Sequence, residues 1–110
     1  MKKLVALFLA LLTLTAVCIP AAMALEAWQE RYGTVDLYTN TPGDVNTYVR
    51  HLQEDLNEYG RYGISEDGYF GSGTKAAVKK FQEAVGLTAD GWAGDKTKKA
   101  LYNEVYGTNF

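Results

Sequence analysis

The sequence predicts an all-α fold: a compact three-helix bundle assembled from a duplicated helix–loop unit with Asp-Gly turns. Three observations predict it. Apolar residues recur at helical spacing in three separate stretches. Each stretch ends at a glycine suited to a left-handed stop, at Gly60, Gly86 and Gly107. Two segments also repeat one another at fixed offsets, which points to a duplicated unit.

Residues 1–24 read as a secretory signal peptide. Lys2 and Lys3 precede an apolar run from Leu4 to Ile19, and Ala22-Met23-Ala24 offers small residues where a signal peptidase reads. The run is shorter than the roughly 20 residues that span a bilayer, which argues against an uncleaved anchor. Lipid attachment at Cys18 fits poorly, because Thr15 and the branched Val17 stand where such signals carry leucine and a small residue. Cleavage after Ala24 removes the cysteine and the two leading lysines. Nine basic residues then face thirteen acids, a balance of −4. That charge excludes nucleic acid and, after signal cleavage, an anionic membrane as partners. The expected location is extracytoplasmic. About 86 residues remain, enough for one modest core held without disulfides.

Residues 25–43 are expected to form an N-terminal arm or linker. Glu26 to Tyr32 suits a short helical turn with Trp28 and Tyr32 on one side, able to pack on the domain. Thr34 to Asn40 alternates through Val35 and Leu37 and suits an extended stretch. Thr41-Pro42-Gly43-Asp44 is a turn, since proline fixes one dihedral and glycine frees the next.

The domain proper is placed at residues 44–107. Val45, Val49, Leu52 and Leu56 mark the buried face of a first helix, with Tyr48 and Tyr59 flanking. Asp44 or Asn46 would cap it and Gly60 would stop it. A second helix spans Ser72 to Val85 and buries Ala77, Val78, Phe81 and Val85. A third spans Asp95 to Tyr106 and buries Ala100, Leu101 and Val105.

Within these helices Leu52-Gln53-Glu54-Asp55-Leu56 is echoed by Phe81-Gln82-Glu83-Ala84-Val85. Asp67-Gly68-Tyr69-Phe70-Gly71 is echoed by Asp90-Gly91-Trp92-Ala93-Gly94, and Thr74, Ala77 and Val78 by Thr97, Ala100 and Leu101. The two copies differ by a six-residue insertion around Tyr59 to Ser65. Each Asp-Gly forms a tight turn, the carboxylate bonding N–H groups two residues on. Thr74 and Thr97 sit where a hydroxyl can serve the free donors of a helix start. Gln53 and Gln82 are placed either to bond loop backbone or to reach a ligand. Read physically, all of this specifies a scaffold.

The string Val49-x-x-Leu52-Gln53-x-x-Leu56-Asn57-x-x-Gly60, then Asp67-Gly68-x-Phe70-Gly71-x-x-Thr74-x-x-Ala77-Val78-x-x-Phe81-Gln82, resembles the peptidoglycan-binding type 1 domain family. It stays in register through Gly86-Leu87, Asp90-Gly91, Gly94, Thr97 and Ala100-Leu101. Gly73, in the first turn of the second helix, departs from good helix chemistry. The resemblance implies a bacterial, wall-associated binding module, whose relatives usually hold a hydrolase domain on peptidoglycan. No hydrolase domain accompanies it in this sequence. It is therefore expected to be a stand-alone exported module, acting alone or beside a separately encoded wall hydrolase.

An enzymatic reading lacks parts. His51 is the single histidine and reads as a partly exposed surface residue, and metal-dependent hydrolases need several ligands. Glu66, Asp67 and Asp90 offer carboxylates, but the two aspartates are repeat equivalents with roles in turns. No catalytic residue, metal or cofactor is expected. Eight tyrosines and two tryptophans do suit a surface that stacks on sugar faces. The candidate ligand-binding residues are Arg61, Tyr62, Asp67, Tyr69, Asp90 and Trp92, around a shallow groove edged by the two Asp-Gly loops and the insertion. Tyr62, Tyr69 and Trp92 would stack, and Arg61 would meet a stem-peptide carboxylate. Tyr69 and Trp92 serve equally well as lids on the small core. A protein-interaction module docking onto another exported protein is the alternative function.

Overall fold

A computed structural model describes residues 24–40 and 46–110. The signal segment before Ala24, the Thr41-Pro42-Gly43-Asp44 turn, Val45 and the Asn46 side chain lie outside the described residues. The described chain forms four helices: α1 (Ala27–Tyr32), α2 (Asn46–Gly60), α3 (Ser72–Ala84) and α4 (Asp95–Tyr106). The fold is all-α, and the three helices expected from periodicity are α2 to α4. No described helix is long and apolar enough to cross a membrane.

Helix α2 is central and packs against each of the other three. Its apolar positions Val49, Leu52 and Leu56 are fully buried, together with Val78 and Phe81 from α3 and Leu101 from α4. Each such side chain contributes about 1.5–3 kcal/mol by leaving water. Val85, Ala100 and Val105 are only partly buried and pack on the margin of this core. Trp28 and Tyr32 of α1 enter the core with it, as does Leu37. Residues 28–37 thus supply three of the largest fully buried side chains.

A second binding layer joins α1, α2 and α4. Asp55, 2% exposed, accepts hydrogen bonds from Arg31 Nε at 2.5 Å, Tyr32 OH at 2.6 Å and Tyr106 OH at 3.0 Å. Burial, and then the Asp55 charge, push the Tyr32 and Tyr106 hydroxyls well above the ordinary tyrosine value. His51 donates Nδ1–H to the Arg31 carbonyl at 2.8 Å, closing the end of α1.

Two expectations about helix ends change. Gly60 is the last residue of α2, and the left-handed position falls on Arg61, φ 52°, whose N–H returns to the Asn57 carbonyl at 2.8 Å. Gly60 serves a close approach instead. A Cβ there would lie 2.3 Å from the Tyr62 ring. Gly71 and Gly94 are the N-cap residues of α3 and α4 and supply no side-chain cap, and Thr74 and Thr97 do not serve the free helix donors. Their hydroxyls turn inward to the glutamine network described below.

Gly73 has open space around its Cα and no left-handed backbone requirement. Gly73→Ala is therefore expected to raise stability by about 0.5–1 kcal/mol, the helical cost of glycine. Thermal denaturation of the two proteins measures it.

Candidate functional site

The two Asp-Gly loops are held by one device used twice. Gln53 of α2 is buried, and its Oε1 accepts the Gly68 N–H at 2.8 Å. Its Nε2 donates to the Tyr69 carbonyl at 2.8 Å, Thr74 Oγ1 at 3.0 Å and Asp67 Oδ1 at 3.2 Å. Gln82 of α3 repeats this in the second copy. Its Oε1 accepts the Gly91 N–H at 3.0 Å, and Nε2 reaches Trp92 O, Thr97 Oγ1 and Asp90 Oδ1 at 2.9, 3.0 and 3.0 Å. Positive φ at Gly68 and Gly91, 81° and 78°, turns each loop toward its glutamine. Both amides are fully engaged, so the glutamines hold loop backbone.

The aspartates complete the loops. Asp67 Oδ1 accepts the Tyr69 N–H at 3.0 Å and Asp90 Oδ1 accepts the Trp92 N–H at 2.9 Å. Those N–H groups, and then the glutamine amides, hold both carboxyls below the ordinary aspartate range. A carboxylate so held is ionised and a poor proton donor. The loops thereby aim the next side chain outward. Tyr69 is 62% and Trp92 47% exposed, so neither is a core lid.

Residues 33–40 run as a strap across both loops. Leu37 exchanges backbone hydrogen bonds with Ala93, at 2.8 and 3.1 Å. The Tyr38 ring stacks on Trp92 with centroids 4.4 Å apart and planes 14° from parallel. At the first loop, Asn40 N–H bonds the Phe70 carbonyl at 3.2 Å, and Tyr69 OH donates to Asn40 Oδ1 at 3.2 Å. Lys98, fully buried on α4, pins the strap from beneath by donating to the Gly33 carbonyl at 3.1 Å and to the Val35 carbonyl. Burial lowers the Lys98 ammonium pKa, while nearby Asp95 and Asp36 raise it.

An open groove of about 710 Å³ lies on the second copy, lined by Asp36, Leu87, Thr88, Trp92, Asp95 and Lys96 among others. Beside the first loop lies the six-residue insertion. Asn57 there holds the insertion by exchanging hydrogen bonds with Ile64 N and O at 3.0 and 2.8 Å, and it donates to Glu66 at 2.8 Å. The residue in register with Asn57 in the second copy is Gly86, which has no side chain to make that latch.

A family model described as "Putative peptidoglycan binding domain" matches residues 46–101. The chain belongs to this peptidoglycan-binding domain family. Zinc D-Ala-D-Ala carboxypeptidase of Streptomyces albus G is 43% identical over 70 residues, covering 62% of this chain and 26% of that enzyme. Spore cortex-lytic enzyme of Bacillus cereus is 49% identical over 53 residues, 48% of this chain and 20% of the enzyme. Autolytic lysozyme of Clostridium acetobutylicum is 41% identical over 68 residues, 62% of this chain and 20% of the enzyme. The chain thus spans about a quarter or less of the length of these relatives. No solved structure matches it significantly.

In the peptidoglycan-binding domain, Asp90 and Trp92 line the groove, whereas Arg61, Tyr62, Asp67 and Tyr69 are not among its lining residues. Arg61 is exposed at the end of α2. Tyr62 lies over Gly60 and packs against the core, and burial, then Tyr59, raises its hydroxyl pKa. Asp67 and Tyr69 stand together on the first loop. Asp36, Tyr38 and Lys96 were not legible as site residues. Two belong to the strap outside the family match, and a lone aspartate or lysine carries no pattern. The odd spacing of Tyr38 in an alternating stretch was the one available signal.

Proposed function

We propose that this chain is an exported, non-catalytic module that binds bacterial cell-wall peptidoglycan non-covalently, using the groove of its second repeat. Family membership supports the ligand class, and the relatives are named as enzymes acting on wall material. One observation supports the place. Trp92 is half exposed and lines the groove, and its ring is stacked on Tyr38, which holds it in place. A rigid aromatic face beside polar groups suits an amphipathic sugar–peptide ligand. In this reading residues 1–24 direct export and are removed, residues 44–107 form the binding domain, and the protein works at the wall beside a separately encoded hydrolase.

Co-sedimentation with protein-free wall sacculi tests the proposal. Trp92→Ala is expected to weaken retention about tenfold, the value of a lost aromatic contact of about 1.4 kcal/mol. It should cost no more than about 1.5 kcal/mol of stability, the stack with Tyr38. Tyr69→Ala, equally outward on the first loop, should leave retention near the parent's. A parent protein that stays wholly in the supernatant would reject wall binding and favour docking to a protein.

A further inference from the structure

The strap residues add charge to the groove, and the charges have a definite arrangement. Asp36, carried by the strap, sets its carboxylate against Gly94 at the start of α4; Oδ1 would stand 3.4 Å from a Cβ at that glycine. Asp95 and Lys96 follow on the first turn of α4 and line the same groove. Among the described residues no side-chain hydrogen bond or ion pair engages Asp36, Asp95 or Lys96. Asp90 differs, because its Oδ1 is already bonded to Trp92 N–H and to Gln82. Two carboxylates without a hydrogen-bond partner, both acting at longer range on buried Lys98, and the Lys96 ammonium therefore line one open groove beside an aromatic side chain.

A neutral N-acetylated glycan has no charge to offer such a groove. The peptide part of wall polymer does, since a diamino acid in it carries a free amine and the peptide ends in a carboxylate. Both signs are then met, the amine by Asp36 and Asp95, the carboxylate by Lys96. Binding a neutral sugar instead would desolvate three charged groups without return.

We infer that the second-repeat groove, completed by Asp36 of the strap, selects a zwitterionic stem peptide bearing a free side-chain amine, with Asp36 as a specificity-determining residue. This rests on the wall-binding reading above and narrows it. It also gives the strap a role: residues outside the family's matched segment would tune which wall peptide the module accepts.

The test titrates the whole chain with three probes and follows tryptophan emission and heat. The first is a stem tetrapeptide with a free diamino-acid amine, the second the same peptide acetylated on that amine, and the third chitotetraose. The free-amine peptide is expected to bind best, with acetylation weakening it about fivefold or more, the upper range of an exposed ion pair. Asp36→Asn should weaken the free-amine peptide by a similar factor and leave the acetylated peptide unchanged. An unchanged melting temperature for Asp36→Asn separates loss of charge from loss of fold, and Asp36→Glu should restore part of the affinity. Equal binding of the two peptides, or preference for chitotetraose, overturns the inference while retention on sacculi still stands. Loss of retention on sacculi by the parent chain overturns both readings.

Discussion

Replacing Gln82 with alanine is expected to remove about 2–4 kcal/mol of stability, the penalty for stranding buried polar groups. Four partners depend on this one amide. Without it the Gly91 N–H and the Trp92 carbonyl lose their bonds to the amide, and Asp90 and Thr97 lose a donor. At the size of this domain that corresponds to a fall in melting temperature of roughly 10–25 °C. Gln82→Glu keeps the shape but removes the donor and sets a second carboxylate beside Asp90. It should cost at least as much, which separates hydrogen-bond chemistry from packing. Gln53 performs the same work at the first loop, and the two substitutions should add, because each serves its own loop. Differential scanning calorimetry of the single and double variants measures both points. A loss below about 1 kcal/mol for Gln82→Ala would show that water replaces the amide.

Asp55→Ala is expected to cost about 3–5 kcal/mol, as when one partner of a buried ion pair is removed. The Asp55 carboxylate is where α1, α2 and α4 meet, bonded by Arg31, Tyr32 and Tyr106. Removal strands the buried Tyr32 hydroxyl, takes a partner from Tyr106 and leaves Arg31 with the more exposed, weaker Glu54 as its ion-pair partner at 3.2 Å. Helix α1 has six residues and cannot persist without its docking. Its amides should therefore lose protection from hydrogen exchange first, with the α3 amides retaining theirs. If α1 and α3 exchange alike in Asp55→Ala, the cluster is part of a single cooperative unit and α1 is not separately detachable.

The duplicated scaffold was readable because it repeats. Asp-Gly at matching offsets and a glutamine one position after each apolar anchor are local patterns, and the structure assigns them one shared mechanism. Helix α4 spans Asp95–Tyr106 as its periodicity implied, since capping and spacing are local as well. What escaped the sequence is non-local. Lys98 reaches carbonyls more than sixty residues earlier in the chain, and the Leu37–Ala93 pair is a single bridge with no strand period to announce it. Asp55 reads as an ordinary solvated acid on a helix until Tyr106 is placed beside it. The asymmetry of the two copies escaped for a related reason. Asn57 and Gly86 occupy equivalent positions, yet only the fold reveals that Asn57 latches the insertion.

In the proposed function the second repeat, and not the first, carries the ligand. Amide and indole chemical shifts of the isotope-labelled protein, titrated with muramidase-solubilised wall fragments, test it most directly. The largest changes are predicted at the Trp92 indole, at Gly86 to Thr88, at Lys96 and at Asp36. Changes concentrated on Arg61, Tyr62 and Tyr69, with the second-repeat groove silent, would contradict it.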